Sequence, residues 1–324
     1  MTEYPKNETA IEGESKSAGS FWAAFLGYAV VGLFLSYCGY YVYSRPQEFA
    51  FVKDVSIPEL ISAAVLVIVS VLISAFQLLL FFRNFGVSLG LLELFALAMS
   101  SGLGNLVLPM RGGTAGMAVY LKKVHGLDFK AFAVIYAGTG LLMALVNTGM
   151  AVLGLGLVYL TNGFFDPLLS AVVLCLFGAC LYFSLFPPPV RWKRGGLLGI
   201  VFDTAHSWHL LTRDRPLLLK LTLLFTMVPV TLTGAFHFIY QALGSSLPLS
   251  AVLVVSSLGN VANLVPIVPG ALGVFDAVTI QIPKIFGLDP AVAIASALTY
   301  RVLLFGWCIS LGVPGIFYLM AKAR

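Results

Sequence analysis

The sequence predicts an all-α polytopic membrane protein, and three observations carry that expectation. Of its 324 residues 59% are hydrophobic and only 10% are charged, with a mean hydropathy of +0.96. That balance belongs to chains that use the bilayer as solvent and leaves no room for a separate soluble catalytic domain. Apolar runs of membrane-crossing length recur along the chain, and Lys and Arg gather in some connections while others have none.

A bilayer core asks for about 20 apolar residues per helix. Six spans are predicted: Phe21 to Tyr43, Pro58 to Phe82, Ala131 to Leu160, Pro167 to Phe186, Pro216 to Ala242 and Ala291 to Met320. Two further regions, Val87 to Leu121 and Leu249 to Ile282, are too long for one helix and are interrupted by Gly and Pro. They are expected as broken hairpins, either re-entrant or built from two short helices. Residues 1–20 form a polar tail carrying Glu3, Glu8, Glu12 and Glu14, unlike the basic start of a signal peptide, so the first apolar segment is expected to persist as a helix.

Arg83, Arg111, Lys122, Lys123, Lys130, Arg191, Lys193, Arg194, Arg213, Arg215, Lys322 and Arg324 mark one side of the membrane, and loops 161–166 and 243–248 contain no Lys or Arg. The positive-inside rule then places both termini in the cytoplasm of an inner membrane. The net charge of +5 reports loop charge, and no nucleic-acid partner is expected. Residues 196–212, after "RWKR" (Arg191 to Arg194), carry an amphipathic stripe, and the segment 191–215 is expected to lie on the inner leaflet. Asp203, His206 and His209 share helical spacing there, but a wetted polar face explains them without a metal. Cys38, Cys175, Cys180 and Cys308 sit in apolar runs and are expected to be buried free thiols; no metal or cofactor is expected.

The two broken regions resemble each other. Ser100 to Asn105 sets against Ser256 to Asn260, Pro109 and Gly113 against Pro269 and Gly273, and "HGLD" (His125 to Asp128) against "FGLD" (Phe286 to Asp289). A long span follows each copy, and the two copies enter the membrane from opposite sides. That is an inverted repeat, running from about 58–160 and 216–321 and joined by the span 167–186 and the amphipathic segment, all within one membrane domain over 21–324. Non-helical backbone survives at membrane depth only where protein or a wet cavity satisfies it, so the hairpin residues Pro109, Gly112, Gly113, Pro266, Pro269, Gly270 and Gly273 point to a midplane site.

Within those hairpins a few residues can carry chemistry. Arg301 lies deep in the last span and needs a cavity or a counter-ion, for which Asp276 is the natural partner. A purely structural ion pair is the competing role. Arg111 at the first hairpin tip suits a phosphate, and Asn105, Asn260 and Asn263 can hydrogen-bond a head group or one another. His237, Tyr240 and Gln241 are expected as interfacial anchors, and Glu93 as a wetted boundary residue. Phosphate-loop, zincin and nucleophile-elbow signatures are missing, so an enzyme is not expected.

At "LPMRGGT", "PGALGVFD" and "LTYRVLL" the chain resembles the membrane portion of lysylphosphatidylglycerol synthases and the related stand-alone flippase-like family. That family shows Pro-Arg-x-Gly-Glu near its first hairpin, a G-x-G-V-x-E stretch, and then an aliphatic-Tyr-Arg helix. Here Thr114 stands at the first acidic position, Asp276 replaces the second Glu, and "VIYAGTGLLMAL" lacks a Glu-Arg pair. Without the aminoacyl transferase domain, the resemblance implies lipid translocation and not lipid aminoacylation.

The expectation is a flippase or scramblase that passes a phospholipid or glycolipid head group through a polar cavity between the hairpins. Its partners are membrane lipids with phosphate-containing head groups, with a second copy or a membrane enzyme as the open protein partner. A carrier of a small soluble anion and a non-transporting subunit that recruits a partner remain as alternatives.

Overall fold

The structure is a computed structural model describing residues 54–108, 111–186, 215–264 and 273–324, with isolated positions before 54. The predicted span Phe21 to Tyr43, most of the amphipathic segment, and Pro109, Pro266, Pro269 and Gly270 lie outside the described residues. The described residues are helical, in nine elements: α1 (Ile57–Asn84), α2 (Leu91–Val107), α3 (Gly112–His125), α4 (Phe129–Asn162), α5 (Pro167–Leu185), α6 (Arg215–Ala242), α7 (Leu249–Ala262), α8 (Val274–Ile285) and α9 (Pro290–Lys322). Among them α1, α4, α5, α6 and α9 are long and apolar enough to cross a membrane, as the sequence predicts. The outward surface suits that solvent: Leu160, Leu168, Val302 and Phe317 are all more than two-thirds exposed.

The broken regions resolve into pairs of short helices. α2 has 17 residues, α3 and α7 have 14 each and α8 has 12, all short of the roughly 20 a bilayer core requires. α2 and α3 run antiparallel, since Tyr120 reaches Glu93 near the start of α2 while Thr114 meets Asn105 near its end.

The repeat read from "HGLD" and "FGLD" has a structural counterpart. Gly126 and Gly287 both take left-handed backbone, at φ 70° and 89°, where a side chain would be strained. Two residues on, Asp128 accepts from the Phe129 N–H at 2.9 Å and Asp289 from the Ala291 N–H at 2.8 Å, capping α4 and α9. The hairpin tips correspond with a small shift from the sequence pairing. Both α3 and α8 start from a residue with positive φ, but it is Arg111 (56°), not Gly113, that stands opposite Gly273 (92°). Thr114 and Asp276 are therefore equivalent, each three residues into its helix.

The packing follows the same duplication. The pre-hairpin helices pack on each other, α1 on α6, and each post-hairpin helix packs on the opposite hairpin: α4 along α7, and α9 along α2. Small residues allow these close, antiparallel crossings. A Cβ on Gly154 of α4 would stand 2.9 Å from the Ser250 carbonyl oxygen, and one on Gly315 of α9 would stand 3.1 Å from that of Ala96. Buried residues gather in two main clusters. One runs through Phe236, Ile239, Val252, Phe275 and Tyr300, the other through Phe81, Phe82, Leu121, Ile135 and Leu221. Tyr240, expected at an interface, lies in the first, fully buried 6.1 Å from the Phe236 ring. Cys308 is buried and Cys175 exposed, contrary to the expectation for the latter.

Glu93 also departs from expectation, because it is 1% exposed rather than wetted. Its carboxylate accepts from Tyr120 Oη at 2.6 Å and Lys322 Nζ at 2.7 Å, with His125 Nε2 at 2.8 Å. A buried carboxylate is tolerable only with such partners, and this one ties the start of α2 to the ends of α3 and α9. Glu93→Ala is expected to destabilise the detergent-purified protein by about 3 kcal/mol, since it strands several donors at once. Lys322→Ala, which removes one partner that is 40% exposed, should cost much less in the same thermal unfolding measurement. Equal losses would show that Glu93 is not the centre of the cluster.

Candidate functional site

A cavity of about 520 Å³ lies where the two hairpins face each other, lined from α1, α2, α4, α6, α7 and α9 and by Arg111. Of the six residues nominated for binding, Asn105, Arg111, Asn260, Asn263 and Arg301 line it. Asp276 does not reach the surface, being 1% exposed, and stands directly behind Arg301. Of the hairpin glycines, Gly112 and Gly113 form the first turn of α3 and Gly273 the cap of α8.

Arg301 enters from α9 and pairs bidentately with Asp276, Nε to Oδ1 at 2.9 Å and Nη2 to Oδ2 at 3.0 Å. The same Oδ2 accepts from the Gly273 N–H at 3.0 Å, so the carboxylate caps α8 while it holds the guanidinium. Behind the charge pair stands an aromatic column. The Arg301 guanidinium sits 4.8 Å from the Phe275 ring centroid, and Tyr300 is stacked between Phe275 and Phe236 at 5.1 Å from each. Arg301 is only 7% exposed, so this shell fixes its orientation rather than leaving it to solvent.

The first hairpin is wired differently. Thr114, at the position equivalent to Asp276, gives its N–H to Asn105 Oδ1 at 2.9 Å and receives Asn105 Nδ2 on its hydroxyl at 3.0 Å. Asn105 thus caps α3 from across the hairpin, a role its sequence position in α2 did not disclose. The cation of this half sits at the tip and not on the following helix. Arg111 donates to Tyr136 Oη at 3.2 Å and to the Asn263 carbonyl oxygen at the end of α7. A guanidinium there satisfies one of the carbonyls a helix leaves unpaired at its C-terminus and joins the two hairpins. Among the described residues no carboxylate pairs with Arg111.

The three asparagines do not bond to one another. Asn260 instead gives its Nδ2 to Asn147 Oδ1 at 3.1 Å, across the α4–α7 crossing, and Asn147 is fully buried. Sequence reasoning passed over Asn147 and Tyr136, although an amide in the middle of the span Ala131 to Leu160 needs a partner and was a usable signal. Gln77 was missed as well; its Nε2 donates to the Leu224 carbonyl at 3.0 Å, and it lines the cavity with Ser70, Ser74 and Thr139. The metal idea at Asp203, His206 and His209 falls outside the described residues.

A doubly cationic recess between two helical hairpins, one cation neutralised and the other without a carboxylate partner among the described residues, can receive an anionic group. A search of curated proteins returns no match. The family model for the lysylphosphatidylglycerol synthase TM region matches residues 25–312, almost the whole chain and both hairpins, and the protein therefore belongs to that family of polytopic membrane proteins.

Proposed function

We propose that the protein is a lipid translocase, a flippase or scramblase of an inner membrane with both termini cytoplasmic. It moves the head group of a phospholipid or glycolipid through the cavity while the acyl chains stay in the bilayer. The observation that carries this is the cavity itself: about 520 Å³, placed between two helical hairpins and presenting Arg111 and Arg301, in a fold whose outer face is apolar. Arg111 and Arg301 receive the phosphate, the amides of Asn260 and Asn263 bind the rest of the head group, and Asp276 holds Arg301 in place.

The test is head-group accessibility in proteoliposomes, with labelled phospholipids and a glycolipid, an impermeant quencher, and empty vesicles as the baseline. Wild type is expected to expose inner-leaflet label well above that baseline, and Arg111→Ala to lower the rate at least about tenfold by removing a charge-assisted contact. A wild-type trace that superimposes on empty vesicles for every lipid removes unassisted translocation. Stabilisation of the purified protein by a soluble anion and by no lipid would then favour a small-anion carrier.

A further inference from the structure

The cavity has a charge and hydrogen-bonding character that narrows its occupant, and the narrowing rests on the translocase reading just given. We infer that it selects an anionic lipid whose head group carries a single phosphate and an uncharged, hydroxyl-bearing moiety, and that it rejects head groups bearing an ammonium.

Three features of the described lining lead there. The first is net charge: Arg301 is neutralised by Asp276, Arg111 has no carboxylate partner among the described residues, and the lining includes no acidic side chain. Among the described lining residues one positive charge is left without a carboxylate, which matches a phosphodiester and repels a second cation. Only two of the Arg111 contacts are to protein hydrogen-bond acceptors, both neutral, so its fork keeps donors for an anion.

The second feature is the aromatic surface. Ammonium groups without a carboxylate are held by open aromatic faces. Tyr300 is stacked on both Phe236 and Phe275, and Tyr136 carries Arg111 at 5.7 Å from its centroid and is stacked on Phe132 at 5.8 Å. Neither tyrosine offers a cage, and Phe225, the other aromatic in the described lining, is buried at 3% exposure. The third is the direction of the hydroxyls. Ser70, Ser74 and Thr139 each donate to a backbone carbonyl of their own helix, at 2.7, 2.9 and 2.8 Å, so each shows the cavity an oxygen acceptor. Neutral acceptors in the same lining as a guanidinium that has no carboxylate partner among the described residues suit glycerol, inositol or sugar hydroxyls next to a phosphate.

Direct binding tests this separately from transport. Purified protein is titrated with acyl-chain-labelled phosphatidylglycerol, phosphatidylcholine and a trimethylammonium-propane lipid, and fluorescence polarisation reads the affinities. Phosphatidylglycerol is expected to bind at least about tenfold more tightly than the other two. Arg111→Gln should collapse that ratio, Arg111→Lys should restore part of it, and Ser74→Asp, which places a carboxylate in the lining, should raise binding of the ammonium lipid. Equal binding of all three lipids overturns the inference, as does the absence of saturable binding. Selective binding without transport sustains it and sinks the translocase reading instead. Transport of all three lipids at equal rates with unselective binding does the reverse.

Discussion

Asp276→Ala and Arg301→Ala are each expected to destabilise the protein by about 3–5 kcal/mol and to abolish lipid translocation, because each leaves a buried charge without its partner. The geometry makes the loss two-sided for Asp276. Its carboxylate is lost to Arg301 at 2.9 and 3.0 Å and also to the Gly273 N–H that starts α8. Thermal unfolding in detergent measures the first effect, and the accessibility assay the second. The two roles of the pair separate in the double variant Asp276→Asn, Arg301→Gln, in which neither residue is charged and the amides can still bond to each other and to Gly273. It is expected to recover most of the stability lost by the single variants while remaining unable to translocate. If the double variant transports like wild type, the pair is a structural strut and Arg301 does not touch substrate.

Gly113→Ala is expected to be the most damaging single methyl that can be added to the described part of the first hairpin. A Cβ at Gly113 would stand 2.0 Å from the Ser101 carbonyl oxygen and 2.6 Å from the Asn105 nitrogen, so α3 cannot keep its place against α2. Backbone cannot swing aside as a side-chain tip can. Overpacking of this kind costs about 1–3 kcal/mol, and the displaced Asn105–Thr114 cap adds about 1 kcal/mol. Gly116→Ala, one turn further along the same helix, is the matched control, since its Cβ would meet nothing within 4 Å. There alanine favours the helix by roughly 0.5–1 kcal/mol, so the two substitutions should move the unfolding midpoint in opposite directions. Loss of stability at both positions would mean that α3 is not packed on α2 through Gly113.

The contrast between Gly113 and Gly116 shows where sequence runs out. Both are glycines in one short helix, yet only one meets a neighbour, and a bilayer removes the cue that would tell them apart. In water the packed face is apolar and the open face polar; in lipid both are apolar, so helix pairing is not written in periodicity. Features that do not depend on the partner helix were legible: the five described spans by length, "HGLD" and "FGLD" by the turn and cap chemistry of Gly126, Gly287, Asp128 and Asp289, and Asp276 with Arg301 because charges at depth need company. Glu93 was misjudged for want of the partner helices. Its donors lie on α3 and α9, and Lys322 is more than two hundred residues away along the chain. Asn147 was passed over for a similar reason, since its partner Asn260 belongs to the other half of the molecule.

The exchange of partners between the halves also governs how the chain is made. α4 is inserted while α7, the helix that closes over Gly154, has not yet been synthesised, and α2 waits for α9, the last described element to emerge. Neither half finishes folding when its own helices are in the membrane. The first half stays open to lipid until the second arrives, and the cavity, which takes walls from both, comes into existence only with insertion of α9.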